Sequence, residues 1–496
     1  MNAIKRFFGV LALILTLALL LSCGESGVET NNNGDNNNAA QNDNSENQDG
    51  AQTETGETET APDLPDVTFG GEEFRILLSG WSGVDFESEQ ETGDRINDAV
   101  YTRNAKIEEQ YDVVIKTINF DEFDRFGPSS DAYRRSAAAG SDDYDVFFGI
   151  QQYSLVDSMN GLNVEYNAGL PYIDLSKPWW DSGILDVCYG DKIYFAAGDI
   201  TRSTLGYTTL LLFNKNLFNE SGLEYPYQSV KDGTWTYDRF TNLIKDLPRD
   251  LNGDGVMNYR DDLYTISGWQ YELPYNFHTT LGGNEVVKDG DGYPQINIFS
   301  ERSLGAIDKT LDLFSEYGGY FNNRDYGVDR TMFQNRQLYF LDIRMFEIER
   351  YGFRDMEDDF GMIPHPKLNE AAPHYTQLVN NNVVTVTTVP VSNSKLETTS
   401  ILLEALAYEG WKNITPEYKE VLLQTKMTRD NESADMFEYI WGHRTYRYGL
   451  EAYNDVLNMR VVGRSARDYV SIYEALTPRA EQEIETIKEF FLINAV

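Results

Sequence analysis

The sequence has few cysteines, few histidines and few basic residues, and each scarcity excludes a class of protein. Two cysteines in 496 residues exclude a disulfide-stapled scaffold. Four scattered histidines give no basis for predicting a histidine-built metal site. Lys and Arg total 41 against 80 Asp and Glu, so a formal net charge of -39 argues against binding to nucleic-acid phosphates. The content of 41% hydrophobic and 13% aromatic residues is nevertheless globular.

The N-terminal apolar run, residues 7–21, is too short for a membrane span, which needs roughly 20 residues. Two basic residues precede it, as in a secretory signal peptide. The run closes with Leu20-Leu21-Ser22-Cys23, which resembles the lipobox of bacterial lipoproteins. That resemblance implies removal of residues 1–22 and acylation of Cys23. The alternative is an ordinary signal peptide with an incidental cysteine.

The segment 23–62 is predicted to be a disordered tether. It is rich in Asn, Gln, Ser, Thr and acidic residues, and no aromatic residue occurs from Gly24 to Pro62. Such a composition cannot bury enough apolar surface to offset the entropy of ordering. A tether directly after a lipid anchor would hold a folded domain off a membrane surface.

Beyond residue 63, strand-like and helix-like segments alternate. Phe74–Leu78 is a short apolar strand, and apolar residues recur at helical spacing after Asp94. Val113–Ile115 and Asp145–Ile150 are the next predicted strands. Strand, helix and strand in this order predict a parallel α/β sheet.

The order of these segments resembles a known family. The segments that carry the resemblance are Phe74–Leu78, Thr92-Gly93-Asp94, Tyr144–Phe147, Thr204–Thr209 running into Leu212–Phe218, Thr234–Tyr237, and Val383–Pro390 with Ser392-Asn393. Together they are similar to the extracellular solute-binding proteins of family 1, the maltose-binding type. The resemblance covers nearly the whole chain from Phe69, and it rests on the order of the segments.

The resemblance implies an α/β, two-lobed periplasmic-binding-protein-like fold (type II), in which each lobe is a mostly parallel sheet flanked by helices. Residues 63–206 and 383–432 would form one lobe, and residues 207–382 and 433–496 the other. Hinges near Gly206 and Asn382 would let the lobes close over a ligand.

The function implied is that of a lipid-anchored receptor on the extracellular face of a bacterial cell membrane. It would capture a small-molecule ligand, which we expect to be an oligosaccharide, and deliver it to the permease subunits of an ABC transporter. We expect a monomer that catalyses no reaction.

Ligands of α/β sheets bind beyond the carboxyl ends of the strands, so polar and aromatic residues at those positions are candidate contacts. Aromatic rings can stack on the apolar faces of sugar rings, while amides bind hydroxyls. The predicted ligand-binding residues are Trp81, Gln151, Gln152, Tyr207, Trp269, Tyr271 and Phe346. The pair Trp179-Trp180 fits either a core-packed helix start or a wall of the ligand site.

The sharpest local motif is a twelve-residue loop of the EF-hand type, residues 250–261. Ca²⁺ ligands are predicted at six of its positions: Asp250, Asn252, Asp254, the carbonyl of Val256, Asn258 and Asp261. Position 12 is Asp261 rather than the usual Glu, and Asp262 follows it, so the motif leaves open which of the two binds the ion. A single unpaired loop predicts structural calcium. The alternative is an acidic turn without metal.

No motif of a nucleophilic hydrolase, metalloprotease, P-loop or dinucleotide-binding enzyme is present in the sequence. Two alternatives to the receptor remain. A secreted glycan-active hydrolase would need two carboxylates either about 5 or about 6.5–9.5 Å apart across a cleft. A surface glycan-binding adhesion protein would have an exposed binding face and no hinge.

Overall fold

The computed structural model describes residues 60–120, 127–270, 272–322, 325–380, 383–424, 431–447 and 468–493. The predicted signal peptide, Cys23 and nearly all of the predicted tether lie outside the described residues, so they stay predictions. All described residues belong to the unit Thr60–Val496.

Thirteen strands lie within the described residues. In chain order they are β1 (Glu72–Leu78), β2 (Val113–Asn119), β3 (Val146–Ile150), β4 (Thr209–Asn214), β5 (Tyr264–Trp269), β6 (Val286–Lys288), β7 (Pro294–Ile296), β8 (Tyr320–Asn322), β9 (Leu338–Arg344), β10 (Phe360–Ile363), β11 (Gln377–Leu378), β12 (Thr385–Thr388) and β13 (Arg444–Thr445).

Helices connect and flank these strands. The α-helices are Arg95–Tyr111, Pro128–Ala139, Gln151–Met159, Tyr166–Gly169, Ser203–Gly206, Lys215–Glu220, Tyr227–Lys231, Tyr237–Ile244, Leu273–Thr280, Glu301–Ser315, Val328–Gln334, Met345–Arg350, Leu396–Glu409, Thr415–Gln424, Asn431–Trp441 and Tyr469–Ile493. Shorter 3₁₀ turns span Gly80–Asp85, Ser182–Val187 and Phe353–Asp355, and a π turn spans Gly410–Ile414. Among the described residues, no helix is both long enough and apolar enough to cross a membrane.

The first sheet has the strand order β12-β3-β1-β2. β1 pairs in parallel with β2 and β3, and β12 runs antiparallel to β3. The helix Arg95–Tyr111 joins β1 to β2, as the helical spacing after Asp94 predicts. The side chain of Asp94 caps this helix by accepting from the N–H groups of Ile96 and Asn97. We call the part of the chain packed around this sheet the first lobe.

The second sheet has the order β10-β4-β9-β5-β8, and the chain packed around it is the second lobe. β4 is antiparallel to both β10 and β9, whereas β5 is parallel to β9 and β8. The first residue of β4, Thr209, lies opposite the last residue of β9, Arg344. The chain thus enters the second lobe at the edge where β9 ends, so β4 must run away from that edge. The other four strands run towards it.

A buried cluster in the first lobe accounts for the tryptophan pair. Trp179 and Trp180 are buried, and their indole N–H groups donate to the two carboxylate oxygens of Glu404 at 2.9 and 2.7 Å. The pair therefore belongs to the core and does not form a wall of the ligand site. Burial raises the pKa of Glu404 to about 7, although both indole donors oppose the shift.

Two crossover segments between the lobes lie side by side. Thr208 and Val379 form an antiparallel bridge, and the N–H of Asn380 donates to the carbonyl of Tyr207 at 3.1 Å. These segments adjoin the predicted hinges, although Asn382 lies outside the described residues. The lobe boundaries given from the sequence stay predictions.

Candidate functional site

A cavity of ≈ 480 Å³ lies between the two lobes and is lined from both. We call it the interlobe cavity. Its wall comes mostly from the turn after β1, the last residue of β2, the first crossover segment and the helix after β9. Its lining residues are Ser82, Gly83, Val84, Asp85, Glu87, Asn119, Arg202, Ser203, Gly206, Tyr207, Phe346, Glu349, Arg350, Thr385 and Tyr418.

The cavity lies where strands of both sheets end. Gly83 and Asp85 belong to the 3₁₀ turn that follows β1, Asn119 is the last residue of β2, and Phe346 comes two residues after β9. Loops at the carboxyl ends of strands are where α/β folds commonly place ligands. The position of the cavity therefore agrees with the rule used to select candidate residues from the sequence.

Two aromatic rings form one face of the cavity, which we call the aromatic floor. The rings of Tyr207 and Phe346 meet edge to face with centroids 5.0 Å apart. Gly206 allows this packing, because a Cβ there would lie 3.3 Å from both Phe346 Cβ and Tyr418 Oη. A side chain at this position would push Phe346 or Tyr418 away by a few tenths of an ångström.

A charged group stands beside the aromatic floor. The guanidinium Nε of Arg202 donates to Asp85 Oδ1 at 2.8 Å, and Arg202 Cζ lies 5.3 Å from the ring centre of Tyr418. Asp85 and Tyr418 are buried. Burial raises the pKa of the Tyr418 phenol, so this ring stays uncharged. Asp85 and the ring of Tyr418 therefore hold the guanidinium of Arg202 in place on the cavity wall.

A buried carboxylate lies directly behind the aromatic floor. Glu347, only 1% exposed, accepts from the Tyr326 phenol at 2.7 Å, from the Arg344 guanidinium at 2.8 Å and from Arg330. We call these four residues the Glu347 cluster. The guanidinium of Arg344 also lies 5.0 Å from the ring centre of Phe346. Two buried arginines therefore share this carboxylate, and one of them supports the aromatic floor. Arg330 also has the carboxylate of Asp329 at 3.9 Å.

A second acid adjoins the Glu347 cluster. Glu272 Oε2 lies 3.4 Å from Arg344 Nε. Burial raises the pKa of Glu272 to about 7, the charge of Arg344 opposes the shift, and the charge of Glu347 adds to it. Glu272 therefore gains or loses its proton near neutral pH.

The structure places the predicted ligand residues in different surroundings. Tyr207 and Phe346 line the interlobe cavity. Trp81 belongs to the 3₁₀ turn Gly80–Asp85 at the cavity edge, but its side chain is outside the described residues. Trp269 ends β5 and packs edge to face on Tyr326 at 5.4 Å, beside the Glu347 cluster. Their roles in binding stay predictions.

The remaining predicted contacts are not among the lining residues of the cavity. Gln151 begins a helix with a buried side chain, and its backbone N–H donates to Val384. Gln152 follows it in the same helix and is partly buried. Tyr271 lies outside the described residues. The reason for the difference is local: a helix begins at the end of β3 and directs Gln151 into the lobe.

Sequence reasoning missed the charged wall of the cavity. Arg202 and Asp85 come from segments far apart in the chain, and Tyr418 comes from a helix beyond β12. No local pattern marks any of the three, because only the fold brings them together. One hint of this wall is present in the sequence: Asp85 is an acid in the segment that follows the predicted strand Phe74–Leu78.

The predicted calcium loop is folded around its acidic side chains. The carboxylate of Asp250 accepts from the N–H groups of Gly253 and Gly255, each at 2.7 Å. Asp262 is buried and accepts from the N–H groups of Leu251 and Asn258 at the two ends of the loop. Asp262 is thus engaged with backbone, whereas Asp261 is exposed and accepts from the side-chain amide of Asn258 at 3.2 Å.

The donor set of this loop suits a hard cation, since all six predicted ligands are oxygens. Among the described residues, no group of three or more His, Cys, Asp or Glu side chains is arranged to hold a metal ion. Three of the six predicted ligands in the loop are asparagines or a backbone carbonyl, and calcium binding by the loop stays a prediction.

No protein-family model matches the sequence, and no curated protein matches it. Solved structures do resemble the fold. An ABC substrate-binding protein from Listeria monocytogenes in complex with cycloalternan is 14% identical in sequence, and its TM-score is 0.51. The match covers 85% of this chain and 100% of the Listeria chain. An ABC transporter solute-binding protein from Thermotoga lettingae bound with α-D-tagatose is 16% identical, with coverage of 84% and 100% and a TM-score of 0.52.

A cyclo/maltodextrin-binding protein complexed with maltotetraose is 12% identical, with coverage of 88% of this chain and 98% of its own and a TM-score of 0.53. At such identities the likeness concerns the fold. The predicted fold class is confirmed: the chain has the two-lobed α/β fold of periplasmic-binding-protein-like structures, with helices flanking each sheet.

Proposed function

We propose that this protein is a receptor that captures an oligosaccharide in the interlobe cavity and delivers it to an ABC importer. The observation that carries the proposal is a cavity lined from both lobes, in a fold shared with proteins bound to cycloalternan and maltotetraose. The cavity volume of ≈ 480 Å³ falls within the usual range of small-molecule sites.

The lining of the cavity suits a neutral, hydroxyl-rich ligand. The aromatic floor of Tyr207 and Phe346 offers apolar ring faces to the C–H groups of a sugar. Arg202 and Asp85 offer a donor and an acceptor for hydroxyl groups, and their ion pair holds both in place before a ligand arrives. The mixture of charges makes the wall polar without selecting a strongly charged ligand.

The proposal includes no catalysis. Of the three carboxylates that line the cavity, Asp85 is paired with Arg202, and Glu87 accepts from Asn119 at 3.3 Å. Burial raises the pKa of the third, Glu349, and the charge of Arg202 opposes the shift. Glu349 alone does not make a glycoside hydrolase, which needs one carboxyl group to protonate the leaving oxygen and another to act as base or nucleophile. The solved structures of similar fold named above are binding proteins, which supports the same conclusion.

Ligand binding can be tested with maltotetraose, cycloalternan and D-tagatose, by tryptophan fluorescence titration of the full-length protein. We expect saturable binding of an oligosaccharide, recovered unshortened, and at least tenfold weaker binding after Tyr207→Ala or Phe346→Ala, a loss of about 1.4 kcal/mol. Phe299→Ala is the matched control, because Phe299 is an exposed aromatic residue outside the cavity wall. Shortened products, or binding that neither cavity variant weakens, would count against the proposal.

We also propose that a lipid on Cys23 anchors the receptor at the extracellular face of a bacterial membrane, where the permease subunits of the importer would receive the ligand. The lipobox-like sequence at Leu20–Cys23 supports this location. We expect Cys23→Ser to shift the protein from the membrane fraction to the medium. Retention of the variant in the membrane fraction would contradict acylation at this residue.

A further proposal concerns the loop 250–261, which we infer binds one structural Ca²⁺. We expect calcium to raise the melting temperature of the wild type but not of Asp261→Asn, because the variant loses a charged ligand while its loop bonds through Asp250 and Asp262 remain. Asp291→Ala is the control, since Asp291 lies in an acidic turn without the later ligand positions. An equal calcium response in Asp261→Asn would exclude this residue as a ligand.

A further inference from the structure

A completely buried arginine lies behind the charged wall of the interlobe cavity. Arg103 belongs to the helix Arg95–Tyr111, and its place three residues after Val100 puts it on the buried face of that helix. Arg103 is not among the residues that line the cavity. It can therefore affect a ligand only through the residues that it holds in place.

The guanidinium of Arg103 bonds to the main chain on both sides of the Asp85–Arg202 ion pair. Its Nη2 donates to the carbonyl of Asp85, and its Nη1 donates to the carbonyl of Ile200 at 3.0 Å, two residues before Arg202. These two carbonyls belong to segments that are far apart in the chain. A guanidinium is planar and rigid, so this one group fixes the spacing of the segments that carry the ion pair.

The next residue of the helix strengthens the same contact. The side-chain oxygen of Asn104 accepts from Arg103 Nε at 3.1 Å and from Nη2 at 3.0 Å. The side-chain nitrogen of Asn104 donates to the carbonyl of Phe86 at 2.8 Å, and Arg103 Cζ lies 4.8 Å from the ring centre of Phe86. The helix therefore holds the end of the turn after β1 at two consecutive carbonyls, those of Asp85 and Phe86.

Neutral groups accept the hydrogen bonds of this buried charge. Within the described residues Arg103 donates to two main-chain carbonyls and one amide oxygen, whereas the carboxylate of Asp85 accepts from Arg202. Burial lowers the pKa of Arg103 to about 10, the charge of Asp85 opposes the shift, and the charge of Arg202 adds to it. Arg103 is therefore charged at neutral pH. Moving either carbonyl would leave a buried charged donor without a partner, so Arg103 resists displacement of both segments.

We propose that Arg103 is a positioning residue of the interlobe cavity, which ties the segments of Asp85 and Arg202 together and so holds their ion pair in the geometry that a ligand meets. Its effect on ligand binding rests on the proposed function, whereas its effect on the ion pair exists without a ligand. A wall that is already ordered lowers the entropy cost of binding. Lysine at this position would keep the charge but not the planar group that spans both carbonyls.

The first test is a double-mutant cycle in ligand-free, full-length protein. Urea unfolding compares the wild type, Arg103→Lys, Arg202→Gln and the double variant. We expect the double variant to lose less stability than the sum of the two single losses, because Arg103 has no ion pair to hold once Arg202 is replaced. Losses that simply add would overturn the proposal.

The second test measures maltotetraose binding by tryptophan fluorescence, well below the melting temperature of each variant. We expect Arg103→Lys to weaken binding about fivefold in the wild type, as for the loss of one hydrogen bond, but less than about twofold in the Arg202→Gln background. Arg75→Lys is the control and should leave binding unchanged, because Arg75 also donates to a main-chain carbonyl of the first lobe, that of Asp142, but is not among the lining residues of the cavity. An equal loss in both backgrounds would indicate a merely structural role and would overturn the proposal.

The ligand-free cycle separates the role of Arg103 from the proposed function. If the wild type binds no sugar, the proposed function fails, and the unfolding cycle still decides whether Arg103 holds the ion pair. If Arg103→Lys does not fold, Asn104→Ser takes its place in both tests, because it removes one acceptor of Arg103 and leaves the guanidinium present. Non-additive losses with Asn104→Ser would support the proposal, and additive losses would overturn it.

Discussion

Replacing Glu347 with Gln removes the negative charge that two buried arginines share. Glu347 is the common acceptor for Arg344 and Arg330, and all three side chains are buried. Removing one partner of a buried ion pair typically costs about 3–5 kcal/mol, because the remaining charge is left without compensation. Glu272 stays 3.4 Å from Arg344 and Asp329 stays 3.9 Å from Arg330, so we expect the lower end of that range, about 3 kcal/mol.

The loss should depend on pH, because Glu272 can take over part of the missing charge. Burial first, and the charge of Glu347 in addition, keep the pKa of Glu272 at about 7, above its unfolded value. Such a group stabilises the fold at low pH and loses that contribution as the pH rises through about 7. Without Glu347 the pKa of Glu272 falls, so Glu272 ionises more readily beside Arg344. The variant should therefore be most destabilised, relative to wild type, at acidic pH.

Urea unfolding followed by tryptophan fluorescence at about pH 5.5 and about pH 8 measures both effects. Glu357→Gln is the control, because Glu357 is an exposed acid outside both the Glu347 cluster and the interlobe cavity, and its loss should change stability by no more than about 0.5 kcal/mol. If Glu347→Gln unfolds at the same urea concentration as Glu357→Gln at the acidic pH, Glu347 does not hold the buried arginines.

Two further changes test the packing and the buried acid of the first lobe. Gly206→Ala places a Cβ 3.3 Å from Phe346 Cβ and should lower the free energy of unfolding in urea by about 1–3 kcal/mol. The control is Gly305→Ala, a helical position where a Cβ has nothing within 4 Å, and this variant should be slightly more stable than the wild type. Equal effects of the two variants would contradict the packing argument. Glu404 has its pKa raised by burial to about 7, so its stabilisation is present at low pH and is lost as the pH rises through about 7. Glu404→Gln should flatten the fall in melting temperature between about pH 5 and about pH 8, and an unchanged slope would argue against it.

Local features of the fold were predictable because neighbouring residues determine them. Thr236 is of a residue type favoured at helix starts, and it caps the helix Tyr237–Ile244: its side chain accepts from the N–H of Arg239 at 3.3 Å. Likewise, the apolar residues Ile96, Val100 and Ile107 recur at helical spacing and are the buried face of the helix Arg95–Tyr111. Capping and periodicity act within a few residues, so the sequence displays them directly.

The interlobe cavity was only partly predictable. Tyr207 follows from its place at the predicted hinge and Phe346 from its place after a strand, and both line the cavity. Trp269 has an equally suggestive place, yet it packs on Tyr326 beside the Glu347 cluster. Position after a strand indicates the edge of the sheet but not the direction in which a side chain points.

The sequence by itself determined the order of strands and helices and, through that order, the two-lobed fold. The spacing of residues in the loop 250–261 can also be recognised without the tertiary structure. Only the tertiary structure decided that Arg202 meets Asp85 and that Glu347 accepts from two arginines. The physical reason is that periodicity tells which face of an element is buried, whereas the partner of that face comes from a distant segment of the chain.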